Sequence, residues 1–183
     1  MINREIIGGK LGIIYDDHSR EEIDLAIDRV KTLLSNAGVR KGDLVTIAII
    51  IVDITHIASI FACAELGLRI FILDSPATKE SLPFTKLALH GPSDYYLYST
   101  NEDTTEIYNG LHDEMLGRYG GLGIDATAEP DYINFPTVEV LPTDPFLVSS
   151  TSGTTGASRP ITFSHQEVYD LSLIHISEPT RRT

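Results

Sequence analysis

The chain has no tryptophan, two methionines and a single cysteine. One thiol cannot close an internal disulfide, so nothing here calls for an oxidising compartment. Cys63 lies in the apolar run Ile60-Phe61-Ala62-Cys63-Ala64, where a small buried hydrophobe is expected rather than a nucleophile. Positive charge is scarce: 14 Lys and Arg stand against 26 Asp and Glu, a formal net charge of -12. That deficit argues against non-specific binding to nucleic acid or to an anionic membrane, since both need a basic surface. It leaves room for an anionic small molecule, because backbone N–H groups can polarise a site locally. No uncharged stretch reaches the ~18 residues of a membrane span. The most apolar region, Leu44 to Leu73, is interrupted by Asp53, His56, Glu65, Gly67 and Arg69 and reads as buried core. The start, Met1-Ile2-Asn3-Arg4-Glu5, lacks the apolar segment of a signal peptide, so a cytoplasmic protein is expected. There is no internal repeat and no low-complexity tract. His18, His56, His90 and His112 are scattered without ligand spacing, so no metal site is expected.

What is present fits one ordinary domain. The 183 residues suffice for a core, and 42% hydrophobic with 22% charged residues is the balance of a globular chain. Strand and helix signals alternate. Leu11 to Tyr15 is a short apolar run that reads as a strand. Ser19 with Glu22 three residues on reads as a capping box. Ile23, Ala26, Ile27, Val30, Leu33 and Leu34 then recur at three- and four-residue steps, as in an amphipathic helix, and Gly38 stops it. Leu44 to Val52 is β-branched and almost uniformly apolar, as in a parallel strand buried on both faces. Thr55 to Leu66 predicts a helix ending at Gly67, Ile70 to Leu73 a strand, Thr78 to His90 a helix, and Asp94 to Ser99 a strand. Such alternation implies an α/β fold, a mostly parallel sheet flanked by helices with right-handed crossovers. Further on, Thr104 to Tyr119 suggests a helix, while Gly120 to Thr143 reads as a long surface connection. Within it, Gly121-Leu-Gly123-Ile-Asp-Ala126 fits Gly-x-Gly-x-x-Ala, but no clear strand precedes it and no clear helix follows. A glycine-rich turn is expected there rather than a dinucleotide fingerprint. Phe146 to Ser150 and Ile161 to Ser164 are strand candidates.

Between those last two runs lies Thr151-Ser152-Gly153-Thr154-Thr155-Gly156-Ala-Ser-Arg159. Two glycines allow close approach of backbone to a ligand. The hydroxyls of Thr151, Ser152, Thr154 and Thr155 are short donors, and successive N–H groups can form an anion-binding nest. Arg159 adds a permanent positive charge suited to phosphate. The loop is not a Walker A element, since no lysine follows Gly156 and its flanks read as strands. On these grounds alone a phosphate cradle and a surface turn both remain open.

The wider string resembles the phosphate-loop signature of the adenylate-forming superfamily, which includes acyl-CoA synthetases, peptide-synthetase adenylation domains and luciferases. In that family Thr-Ser-Gly-Ser/Thr-Thr-Gly is followed by Pro-Lys-Gly, a short strand and Ser-His. Thr151 to Gly156 and Ser164-His165 match, and Arg159 takes the lysine position. Ser158 and Pro160 depart from the common Pro and Gly. Ala37-Gly38-Val39-Arg40-Lys41-Gly42-Asp43-Leu44-Val45 resembles the family's turn before its first central strand. Ala64-Glu65-Leu66-Gly67 followed by Ile70 to Asp74 resembles its helix–glycine–strand segment.

The resemblance implies the N-terminal part of the family's large domain, truncated, over residues 1–170. It implies ATP-dependent activation of a carboxylic acid as an acyl-adenylate. ATP and Mg2+ serve as cofactors, and transfer passes to a thiol, coenzyme A or the phosphopantetheine arm of a carrier protein. Thr151, Ser152, Gly153, Thr154, Thr155, Gly156, Arg159 and His165 are the implied cofactor-binding residues. His165 would orient the loop, border the acid pocket, or bond the backbone at a helix start. The family's adenine-binding and acid-binding segments and its catalytic lysine lie downstream of this signature, so the chain alone is expected to be inactive. Residues 171–183 read as a foreign tail: Leu171 to Arg181 resembles the translation of a sequencing adapter, and a native helix from Gln166 to Ile176 is the alternative. Two other classes stay open, a nucleotide-binding module without ligase activity and a non-catalytic α/β interaction domain.

Overall fold

A computed structural model describes residues 2, 18–49, 53–73, 93–100, 121–128, 133–150 and 160–177. The strand expected at Leu11 to Tyr15, the helices expected at Thr78 to His90 and Thr104 to Tyr119, and the loop Thr151 to Arg159 lie outside these residues. The first helix, α1 (Arg20–Asn36), starts where its capping box places it. Ser19 Oγ accepts the Glu22 N–H at 3.2 Å, and the Glu22 carboxylate accepts the Ser19 N–H at 2.6 Å. These bonds from Ser19 hold the Glu22 carboxyl below its ordinary range. Ile23, Ala26, Ile27, Val30 and Leu34 form the buried face that their spacing predicts. The chain leaves the helix through Gly38 at φ 84, in the left-handed region that glycine enters without penalty.

Strand β1 (Leu44–Ala48) is buried at every position. Side chains alternate across a strand, so Val45 and Ile47 face the main core while Leu44, Thr46 and Ala48 face the other side. Helix α2 (Ile54–Glu65) is capped by Asp53, whose carboxylate accepts the His56 N–H at 3.0 Å. It is apolar nearly all round and correspondingly buried. The thiol of Cys63 is fully enclosed on it, and burial pushes its pKa upward, which leaves an inert structural residue. After Gly67 come β2 (Arg69–Ile72) and β3 (Tyr95–Ser99). Among the described residues no helix is long and apolar enough to cross a membrane.

One expectation is overturned. Gly121–Ile124 is not part of a surface connection but a strand, β4, running parallel to β3 with Tyr98 opposite Gly123. A Cβ at Gly123 would lie 2.8 Å from both Tyr98 Oη and Thr100 Cγ2, so glycine is required by close packing inside a sheet rather than by a turn. Ile124 and Ala126 are buried with the core. From residue 133 to 143 the chain is irregular and largely exposed, as expected for a connection.

The sheet closes with β5 (Pro145–Ser150) and β6 (Pro160–Ser164), and α3 (His165–Ser177) follows directly. Strand order is β4-β3-β1-β2-β5-β6. All neighbours pair in parallel except β5 and β6, which form an antiparallel hairpin with a bulge between Pro145 and Leu147. Helices α1 and α2 share the core on one face of this sheet.

A mostly buried ion pair joins those two helices. Lys31 Nζ lies 2.9 Å from Glu65 Oε2, with side chains 10% and 15% exposed, and 3.8 Å from the centroid of the Phe135 ring. Removing one partner of such a pair strands the other charge without water. Glu65→Ala is therefore expected to cost about 3 kcal/mol in denaturant unfolding, whereas Lys31→Met combined with Glu65→Met should cost much less. Equal losses in the single and double variants would show that the pair does not behave as a buried one.

Candidate functional site

Parallel strands deliver all their carboxyl ends to one edge of a sheet. Here that edge carries the segments that follow Ala48, Ile72, Ser99, Ile124 and Ser150. From β1 the chain moves to β2 on one side, then returns across β1 to β3 on the other. Open α/β sheets bind ligands at the carboxyl edge beside such reversals. The Gly/Ser/Thr segment leaves β5 at this edge and re-enters at β6, and its stem is the Ser150–Pro160 pair. Thr151, Ser152, Gly153, Thr154, Thr155, Gly156 and Arg159 themselves lie outside the described residues. Pro160, which lacks an N–H, is the first residue of a strand at the border of the described sheet, a position where the missing donor is tolerated.

The described polar groups at this edge serve local structure. Asp53 caps α2, and His56 Nδ1 lies 2.7 Å from the Ile49 carbonyl. Asp125 Oδ1 accepts from Thr127 N and Oγ1 and from Ala128 N, which closes the turn after β4. No group of three or more His, Cys, Asp or Glu able to hold a metal exists among the described residues.

His165 lies at the end of β6 away from the Ser150–Pro160 stem. Strand β6 runs back from that stem, so Ser164 pairs with Pro145 at the opposite end of the hairpin. The five residues of β6 span ~13 Å at ~3.3 Å per step. At that far end Ser164 caps α3: its Oγ accepts the Glu167 N–H at 3.3 Å, while Glu167 Oε2 accepts from Ser164 N and Oγ, both at 2.7 Å. The His165 N–H donates to the Asp144 carbonyl at 3.1 Å and Gln166 N–H to the Pro142 carbonyl at 2.9 Å. The His165 ring is fully buried and stacks on Phe146, with centroids 4.5 Å apart and planes 18° apart. Neither ring nitrogen has a hydrogen-bond partner among the described residues. Burial pushes its pKa down to about 4, so the imidazole is neutral at physiological pH and supplies no charge for a phosphate. Of the three roles the sequence suggests for it, a side-chain bond to backbone at the helix start is not made among these residues.

No protein-family model and no curated protein matches the chain. Solved structures do. The N-terminal domain of FACL13 from Mycobacterium tuberculosis superposes with a TM-score of 0.69 at 15% identity, over 100% of this chain and 49% of that one. The o-succinylbenzoate CoA synthetase MenE of Bacillus subtilis, solved with an acyl-adenylate intermediate, gives 0.63 at 21% identity, over 91% and 43%. McyG A-PCP, solved with phenylalanyl-adenylate, gives 0.63 at 18% identity, over 86% and 30%. The fold is that of the N-terminal domain of adenylate-forming enzymes. The chain spans from 30% to 49% of the length of these three structures.

Within this N-terminal-domain fold, the upstream blocks that carry the sequence resemblance meet at the edge opposite the Ser150–Pro160 stem. Gly42 N–H donates to the Gly67 carbonyl at 2.8 Å, and Arg69 Nε donates to the Gly42 carbonyl at 2.7 Å. Lys41 Nζ bonds the Glu139 carbonyl at 2.8 Å and pairs with Asp144 Oδ2 at 2.7 Å. Asp144 Oδ2 also accepts the Leu141 N–H at 2.8 Å; this bond, then Lys41, holds its carboxyl below the ordinary range. The sequence reading assigned no role to Asp144, Phe146 or Glu167. Ser164-x-x-Glu167 carries a legible signal, the capping-box spacing. The Phe146–His165 contact carries none, because it depends on a bulge.

Gly67 measures how tightly this edge is built. It has φ 66, and a Cβ there would sit 2.9 Å from Lys41 Cγ and 3.3 Å from Val140 Cγ2. Gly38 has φ 84 with nothing within 4 Å of the same position. Gly38→Ala is expected to cost about 1 kcal/mol from backbone strain alone, and Gly67→Ala about 2 kcal/mol or more. Urea unfolding of the two variants checks the ordering.

Proposed function

We propose that the chain forms the N-terminal part of an ATP-dependent ligase that activates a carboxylic acid. The observation that carries this reading is the β5–β6 hairpin, whose Ser150–Pro160 stem flanks the Thr151–Gly156 string in sequence and sits on the carboxyl edge of a sheet with the fold of an adenylate-forming enzyme's N-terminal domain. The acid's carboxylate oxygen bonds to the α-phosphorus of ATP as the bond to the β-phosphate oxygen breaks, giving an acyl-adenylate and pyrophosphate. The developing charge falls on the leaving pyrophosphate, and donors already in place there lower the barrier. The hydroxyls and N–H groups of Thr151, Ser152, Gly153, Thr154, Thr155 and Gly156, with the guanidinium of Arg159, supply them. Mg2+ bound with ATP would share that charge. The acyl group then passes to a thiol, coenzyme A or a carrier-protein arm. The net charge of -12 favours a small-molecule substrate over nucleic acid.

In this reading His165 is a positioning residue at the base of the hairpin, not a ligand to the nucleotide. The test is ATP–pyrophosphate exchange by the longest protein that contains this chain. Gly153→Leu or Gly156→Leu is expected to lower exchange by about two orders of magnitude or more. Exchange unchanged by both variants would remove the loop from the mechanism. Nucleotide binding without exchange in the parent would point to a binding module, and no nucleotide affinity to an interaction domain.

A further inference from the structure

We propose that His165 and Phe146 form an acid-sensitive clamp that closes the base of the β5–β6 hairpin and docks the start of α3 against it. The His165 ring has no exposed surface, lies flat on Phe146, and leaves both nitrogens without partners among the described residues. A neutral imidazole is tolerated in such a pocket. An imidazolium, with a full charge and two N–H donors, is not. Phe146 is the bulged residue of β5, so the irregularity that sets the hairpin register also delivers the ring to the pocket. Main-chain bonds carry the consequence outward: His165 N–H holds the Asp144 carbonyl and Gln166 N–H holds Pro142. Expelling the ring therefore pulls on both the first turn of α3 and the turn that starts β5.

The surrounding charges are few. Strands β5 and β6 contain no ionisable side chain. Asp144, in the turn before β5, favours protonation of His165, while the chain's α-amino group and Lys41 oppose it. Glu167, on α3 itself, is committed to the Ser164 cap. Burial outweighs all of these and pushes the group down to about 4. The unfolded chain accepts the same proton near ~6.5. The unfolded state thus binds more protons between those values, so the clamp is intact above the ordinary histidine range and weakens as pH falls towards 4. This inference does not depend on the ligase reading, because it concerns the hairpin and not its ligand.

Heteronuclear NMR on the full chain tests it by following the His165 ring and the amides of residues 145–149 and 161–167 from about pH 7.5 to about pH 3.5. The ring is expected to stay neutral well below the ordinary histidine range, and hairpin and helix-start amides to shift together with its titration. His165→Phe keeps the stack but accepts no proton, and should lose the acid step while remaining folded at neutral pH. Phe146→Leu loosens the pocket and should move the ring's midpoint up by about one pH unit or more. A ring that titrates in the ordinary range, hairpin amides indifferent to its titration, or a midpoint unmoved by Phe146→Leu would each overturn the clamp. If His165→Phe does not fold, the wild-type and Phe146→Leu titrations decide.

Discussion

Strand β1 meets no solvent on either face, and its neighbours take their register from it. Val45 and Ile47 point into the core shared by α1 and α2, while Leu44, Thr46 and Ala48 are buried on the other side. A strand enclosed in this way needs cover above and below. Parallel strands joined by helices that cross over the sheet supply that cover. Parallel pairing in turn separates the two edges of the sheet. One edge collects the entrances to the strands and the other collects their exits, and the molecule uses them differently.

The entrance edge is a built structure. Gly42, Gly67, Lys41, Asp144 and the carbonyl of Glu139 bind one another there, and they come from three segments distant in sequence. The exit edge carries the loop stem and the caps of Asp53 and Asp125. A tightly bonded entrance edge leaves the exit edge, where open α/β sheets bind ligands, as the place for connecting segments. The two upstream blocks of sequence resemblance thus lie at the entrance edge, and the stem of the Thr151–Gly156 string lies at the exit edge.

Helix α3 sharpens that division. A helix start is an anion site only when its first N–H groups are free. Here those of His165, Gln166 and Glu167 are taken by Asp144, Pro142 and Ser164. The Ser-His pair that follows the Gly/Ser/Thr string in the sequence thus takes part in hairpin and helix packing. Ser164 caps the helix and His165 fills the pocket beside Phe146.

Much of the architecture was legible in the residues themselves. The capping box of Ser19 and Glu22, the buried spacing from Ile23 to Leu34, the stops at Gly38 and Gly67, and the doubly buried Leu44 run are local signals with local causes, and the elements follow them. The Gly121–Ile124 strand was not legible, because its glycines read as a turn until Tyr98 of the neighbouring strand and Thr100 just after it occupy the space a side chain would need. His165 shows the same limit. The family resemblance implies that it works with the loop or the acid pocket, and an antiparallel strand carries it to the end of the hairpin away from the loop stem. Short-range periodicity and capping chemistry are written in sequence neighbours. Which edge a residue reaches, and what lies against it, depends on partners brought in from distant segments, and only the tertiary structure decides that.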